Sequence, residues 1–164
     1  MIERIVSGGQ TGVDRAALDV GSDLGIPCGG WCPNERRAED GGIAPRYPLR
    51  ETPSARYAQR TGWNVRDADA TLVVVRGALS GGTRYTVEVA KHLGKAVFVL
   101  DLEGRIDEKG FWSWMRDRDV GVLNVAGPRE SQCPGIYAEA KAVFFALFQP
   151  LVEQTEFKQW RIQR

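Results

Sequence analysis

The amino-terminal stretch from Ile2 to Leu24 constrains the fold more than any other part of the chain. Ile2, Ile5 and Val6 form a short apolar run that stops at Ser7-Gly8-Gly9-Gln10-Thr11-Gly12. Val13, Ala16, Ala17, Val20 and Leu24 then recur at helical spacing, and Gly25 follows as a stop. A strand, a tight glycine-rich loop and a helix amino terminus in succession are how open α/β proteins begin. The first N–H groups of a helix lack partners within it, and the helix dipole adds roughly half a positive charge there. Gly8, Gly9 and Gly12 allow a ligand to approach the backbone. Ser7, Gln10 and Thr11 add hydrogen-bonding side chains, and Asp14 adds a carboxylate. The loop fits neither the dinucleotide pattern G-x-G-x-x-G nor a Walker A loop, since no Gly-Lys-Ser/Thr follows.

Further along, apolar runs and helical stripes keep alternating. Ala70–Val75 is continuous and β-branched, which predicts a central strand buried on both faces. It ends at Ser80-Gly81-Gly82-Thr83, and a helix is expected from about Arg84 to His92. Ala96–Leu100 reads as another buried strand, and Lys109–Arg118 as a short aromatic helix. Gly121–Ala126 reads as the last strand, and a final helix runs from about Gly135 to Gln154. Ser54–Thr61 is expected to be helical, with Thr52-Pro53 at its start. This alternation predicts one α/β domain over residues 1–164, with a mainly parallel sheet and helices on both faces. Residues 32–53 stand apart. Pro33, Pro45, Pro48 and Pro53 exclude a helix, and the segment is highly charged. It reads as an irregular insertion, either a lid, a subunit contact or a solvated loop.

Composition narrows the function. A chain of 164 residues with 43% apolar and 26% charged residues can bury a substantial core. Its net charge of +1 gives no reason to expect bulk attraction to nucleic acid or membrane. Three cysteines, Cys28, Cys32 and Cys133, favour free thiols in a reducing compartment, so the expected location is cytoplasmic. Cys28-x-x-x-Cys32 lacks the second ligand pair of a zinc site, and no metal site is predicted. The five tryptophans, Trp31, Trp63, Trp112, Trp114 and Trp160, are expected in the core or at interfaces, with Trp31 near the loops.

In a parallel sheet the glycine-rich turns all lie at one edge, where such folds bind ligands. Three of them are expected to converge. The first is Ser7–Asp14, the second Ser80–Glu88, and the third Asn124–Ser131 with Gly127, Arg129 and Ser131. Two helix amino termini plus an arginine suit a polyanionic small molecule, and Arg129 and Ser131 suit its phosphate or carboxylate. Thr83 and Thr86 offer hydroxyls to phosphate oxygens, or serve as the helix cap and its first turn. Asp14 and Glu88 are the candidate carboxylates, for ribose hydroxyls, a metal or acid–base work. Their alternative role is favourable charge at a positive helix end, worth ~0.3–1 kcal/mol each.

The loop from Ser7 to Asp19, the run Ser80-Gly81-Gly82-Thr83-x-x-Thr86, and Leu123–Ser131 resemble the putative molybdenum carrier family. So do Pro48–Pro53 and Trp63–Asp67. That family belongs with the Rossmann-like proteins that include DNA-processing protein A and the Lonely Guy phosphoribohydrolases. The resemblance implies a doubly wound Rossmann-like sheet and a homo-oligomer, dimer or tetramer, that binds a nucleotide-like or pterin-like anion at the strand ends. The implied role is a binding or carrier protein for a phosphorylated small molecule, either a nucleotide or a molybdopterin-type cofactor. Ser7, Gly8, Gly9, Gln10, Thr11, Gly12, Ser80, Gly81, Gly82, Thr83, Thr86, Asn124, Gly127 and Arg129 would hold it. The second reading is a nucleotide N-glycosidase, a phosphoribohydrolase with Glu88 or Asp14 assisting departure of the base. The phosphoribohydrolases carry Gly-Gly-x-Gly-Thr-x-x-Glu. Here the second Gly-Thr pair is missing and Glu88 is displaced by two positions, which argues against hydrolysis.

Overall fold

The strand β7 (Ala70–Val75) is buried at all six positions, as its β-branched run dictates. Leu72 and Val74 point into the larger core, while Val73 and Val75 point to the opposite face. The computed structural model describes residues 2–162, with side chains described through residue 153. Trp160 therefore lies outside the described side chains.

Around β7 the chain runs β1 (Arg4–Val6), α1 (Val13–Asp23), β2 (Cys28–Gly29), β3 (Trp31–Cys32), β4 (Arg37–Ala38), β5 (Gly41–Gly42), β6 (Arg50–Glu51) and α2 (Tyr57–Asp67). After β7 come α3 (Gly81–His92), β8 (Ala96–Asp101), α4 (Glu108–Asp117), β9 (Val122–Ala126) and α5 (Ile136–Ile162). Five strands form a parallel sheet in the order β2-β1-β9-β7-β8. The core on the α1, α4 and α5 face is built around Ile5, Leu123, Phe111, Phe144 and Phe148. Full burial of each such side chain contributes ~1.5–3 kcal/mol. On the other face Val87 of α3 meets Val73 and Val75. The fold is therefore α/β and Rossmann-like, with helices on both faces.

The strand order has a particular logic. Starting from β9, the sheet is visited as β9, β1, β2, and then β7, β8 on the other side. That is the doubly wound order 3-2-1-4-5 with its first strand moved to the end of the chain. The order reverses between β9 and β7, which pair from Ala70↔Leu123 to Val73↔Ala126. The crevice beyond their carboxyl ends is where such a sheet accepts a ligand.

Four expectations are corrected. First, β8 is an edge strand, mostly half-buried, with Val99 47% exposed, because among the described residues no sixth strand covers it. Second, α2 begins at Tyr57 rather than Ser54 and runs on to Asp67. Thr52 donates its hydroxyl to the carbonyls of Cys32 and Ser54, at 3.2 and 2.9 Å, and Gln59 accepts from the Ser54 N–H, which holds residues 52–55 out of the helix. Third, α3 starts at Gly81, so Gly81 and Gly82 form its first turn. Fourth, the segment 32–53 is ordered by short ladders, β3 with β6 and β4 with β5. Its own small core joins Cys32, Ala38, Ile43, Tyr47 and Leu49 to Leu18 of α1. The Arg36 guanidinium ties the segment together by donating to the carbonyls of Ile43, Ala44, Tyr47 and Leu49.

Candidate functional site

A cavity of about 330 Å³ opens at the crevice between β9 and β7. Gln10 and Asp14 come to it from the loop after β1 and the first turn of α1. The first two turns of α3 bring Gly81, Gly82, Thr83 and Thr86. From the segment after β9 come Gly127, Arg129 and Gln132. All three predicted loops thus contribute to one cavity. A fourth wall, Tyr57, Ala58, Arg60 and Thr61 of α2, was missed by sequence reasoning. The available signal was the three-residue spacing of Tyr57 and Arg60, which puts both on one helix face.

Two guanidinium groups, those of Arg60 and Arg129, and the Asp14 carboxylate line the cavity. The Tyr57 ring carries the guanidinium groups of Arg37, Arg60 and Arg129 at 5.1, 5.7 and 5.3 Å from its centroid. Arg60 reaches Asp14 Oδ2 at 3.3 Å. Arg129 has a carboxylate only at 3.9 Å, that of Glu39. Ser80 caps α3 without a side-chain hydrogen bond, so the first amides of that helix face the same opening. Gly81 and Gly82 leave those amides uncovered: a Cβ on Gly82 would meet nothing within 4 Å.

Two buried donors stand out. Gln10 Nε2 and Arg60 Nε have no hydrogen-bond partner among the described residues. Gln10 is 5% exposed, and its Oε1 is already used by the N–H groups of Thr11 (3.1 Å) and Glu39 (3.0 Å). The amide is thereby fixed with its nitrogen left over. A buried donor without an acceptor costs about 1–3 kcal/mol, so each such group calls for an explanation.

Asp14 is buried, and burial raises its pKa from the ordinary carboxylate value. The Arg60 charge and the Gln10 N–H, 3.2 Å away, act in the opposite direction without cancelling the rise. Glu88 lies elsewhere, exposed in a groove between α2 and α3 with Trp63, Tyr85 and His92. Of the remaining predicted residues, none but Thr86 lines the cavity. Ser7 is fully buried and donates to the Val125 carbonyl at 2.8 Å. Asn124 is buried within β9 and donates to Thr71 at 3.3 Å. The Thr86 hydroxyl turns back to the Gly82 carbonyl at 2.9 Å. Gly8 packs under the Arg60 guanidinium, and Gly9 under Leu49 and Ile43. Ser80 stays at the exposed cap. Thr11 and Gly12 border a second, wider cavity of about 640 Å³ with Arg15, Glu39, Tyr47, Ser131 and Tyr137. Trp31 lies on a third cavity with Arg4 and Arg50, and donates to Asp67 at 2.7 Å.

With this geometry in place, similarity to known proteins becomes informative. Residues 5–148 match the model of the Circularly permutated YpsA SLOG family. The chain belongs to that family. Its description agrees with the shifted strand order, in which the strand that opens a doubly wound sheet comes last. The crystal structure of a putative molybdenum carrier protein from Syntrophus aciditrophicus SB is 41% identical, with a TM-score of 0.85. The similarity covers 89% of this chain and 94% of that one, in keeping with the resemblance read from the motifs. No curated protein matches. Among the described residues no helix is long and apolar enough to cross a membrane. Among those same residues no three His, Cys, Asp or Glu side chains cluster as metal ligands.

Proposed function

We propose that this member of the YpsA SLOG family is a binding or carrier protein for a phosphorylated small molecule, nucleotide-like or molybdopterin-type, held in the cavity between β9 and β7. One observation carries the reading. Gln10 Nε2 and Arg60 Nε are buried donors without acceptors, and both residues line a cavity ringed by Arg129 and the first turn of α3. Small turns of the two side chains bring both donors to an anion with further acceptor atoms seated against Arg129 and α3. The residues also fit the phosphate end and the ring carbonyl of a pterin cofactor, with the cofactor as cargo. The similar protein described as a molybdenum carrier supports that choice of ligand.

Thermal-shift measurement with inorganic phosphate, nucleoside monophosphates and a molybdopterin-type ligand tests it. A ligand at 100 times its Kd stabilises by ~2.7 kcal/mol. No shift with any phosphorylated compound defeats the reading.

The second reading, cleavage of an N-glycosidic bond, now rests on Asp14 alone. It lines the cavity with a raised pKa, as a proton donor to a departing base requires. Glu88 faces another groove. Incubation with nucleoside monophosphates followed by mass spectrometry decides: absence of free base in every case rejects hydrolysis. A cytoplasmic homo-oligomer completes the proposal. The three cysteines are free, and Tyr85, Leu93 and Val99 expose apolar surface around α3 and β8 where a second copy can pack. Light scattering tests the assembly, and a monomer at micromolar concentration contradicts it.

A further inference from the structure

The donors of the loops after β1 and β9 converge on a carboxylate that belongs to neither loop. Glu39 stands with Asp40 at the turn of the hairpin in which Arg37 pairs with Gly42 and Ala38 with Gly41. Its Oε1 accepts from the Thr11 hydroxyl and from the Ser131 N–H at 3.2 Å, and its Oε2 accepts from the Ser131 hydroxyl. Arg129 Nε lies 3.9 Å from Oε2, beyond hydrogen-bonding distance. Two hydroxyls, a backbone N–H and a guanidinium thus surround one anionic group. Partial burial alone would raise the pKa of Glu39, but the hydrogen bonds from Ser131 and Thr11 and the charge of Arg129 outweigh it and hold the carboxyl below its ordinary range. The Glu39 side chain is only 18% exposed.

We propose that Thr11, Ser131 and Arg129 form a phosphate-binding subsite, and that the Glu39 carboxylate holds the position a ligand phosphate takes over. The inference rests on the reading of the neighbouring cavity as an anion site and extends it. Three features carry it. The donors belong to the Rossmann-like loops, whereas the acceptor comes from the inserted segment. The Arg129 guanidinium is left short of a full hydrogen bond, which a phosphate with three acceptor oxygens can supply while keeping Thr11 and Ser131 engaged. Finally, the residues around Glu39 face two cavities. Arg129 lines the one at the crevice, whereas Thr11, Ser131 and Glu39 line the wider one. The hairpin remains seated, because Asp40 is held separately by Arg15 at 2.5 and 2.8 Å. The ligand class this favours carries a phosphate next to a second polar moiety that reaches Gln10 and Arg60.

Calorimetric titration with inorganic pyrophosphate of the wild type, E39A, S131A and E39A/S131A tests the proposal. E39A is expected to bind about tenfold more tightly than wild type. A ligand-contacting residue would show the opposite sign. The double variant is expected to lose the gain, with S131A as the reference for loss of the hydroxyl itself. Unchanged or weaker binding by a folded E39A overturns the subsite while wild-type binding preserves the anion reading. A gain that persists in full in E39A/S131A overturns it too, because removal of one negative charge then explains the effect. Absence of binding in all four proteins overturns the anion reading and the subsite together. If E39A does not fold, E39Q keeps an acceptor oxygen, removes the charge and is expected to bind about threefold more tightly. An unchanged or weaker affinity in E39Q overturns the subsite.

Discussion

Gly8-Gly9 and Gly81-Gly82 look alike along the chain, each between a strand and a helix, yet their surroundings are opposite. Gly8 and Gly9 lie under the protein's own side chains, those of Arg60, Leu49 and Ile43. Gly12, closing the same loop, has φ +78° and lies against the backbone of Pro128–Glu130. Around Gly81 and Gly82 there is open space, with only the Gln132 amide 3.7 Å from a Cβ at Gly81. In the first loop glycine answers to packing, and in the second to access. One motif therefore serves two purposes, and only the second pair offers its backbone directly to a ligand.

The largest expected effect is at the packed loop. In Gly12→Ala the new Cβ would lie 2.5 Å from the Pro128 carbonyl oxygen, at a positive φ that alanine adopts poorly. Backbone cannot give way as a side-chain tip does, so a loss of about 3 kcal/mol or more is expected. For a chain of this size that lowers Tm by about 6–12 °C. A Tm within 2 °C of wild type would remove the distinction between the two loops.

Next comes the group that packs over Gly8. Arg60→Ala removes the close counter-charge of buried Asp14. Breaking a buried pair typically costs ~3–5 kcal/mol. Here about 2 kcal/mol is expected, because burial already favours the protonated form of Asp14, which can take up a proton instead of remaining charged. Arg60→Ala/Asp14→Asn should recover part of the loss in chemical denaturation. Equal stability of the single and double variants would show that the pair is not what Arg60 contributes.

Gly82→Ala sharpens the open side. Glycine to alanine in an open helical turn stabilises by ~0.4–1 kcal/mol, since the unfolded chain loses freedom. The added methyl projects into the cavity mouth, so phosphate affinity is expected to fall by about tenfold, measured by calorimetry. A variant equally stable but with unaltered affinity would place the ligand away from α3.

These contrasts also show what was legible beforehand. The alternating pattern carried the α/β class, because a β-branched run such as Ala70–Val75 has few other places to go. It could not indicate that β8 is an edge strand, since an edge and a centre differ in neighbours rather than in residues. The three loops were visible from their glycines, and their meeting followed from parallel strands sharing one edge. Tyr57 and Arg60 share a helix face in the expected and the observed helix alike, but their spacing does not tell which way that face turns. Glu88 was read from motif position, and its place on the outer side of α3 turns it to another groove. Arg129 and Ser131 were assigned to a phosphate or carboxylate, and in the structure they face a carboxylate of the chain itself, that of Glu39.

The smallest expected effect concerns how the packed loop is held by the hairpin turn. Glu39 and Asp40 both have pKa values below the ordinary range. For Asp40 the Arg15 hydrogen bonds are the leading cause; for Glu39 the hydrogen bonds from Ser131 and Thr11 outweigh the opposing effect of burial. A carboxylate with a depressed folded-state pKa contributes stability that is present above its unfolded value, near 4, and lost as pH falls through the folded value. Asp14 acts in the other direction: its raised pKa favours the protonated folded state, so acidification through that range relieves a cost. The net acid response is thus a difference, and only variants separate its parts. Between pH 5 and pH 3 the wild-type Tm should fall, and that of Glu39→Gln/Asp40→Asn should fall by several degrees less. Asp14→Asn should fall by more than wild type, because the compensating uptake of a proton is gone. Parallel curves for all three proteins would mean that neither the hairpin turn nor the buried carboxylate governs the acid side, and that the tight packing of the first loop is set by its apolar contacts alone.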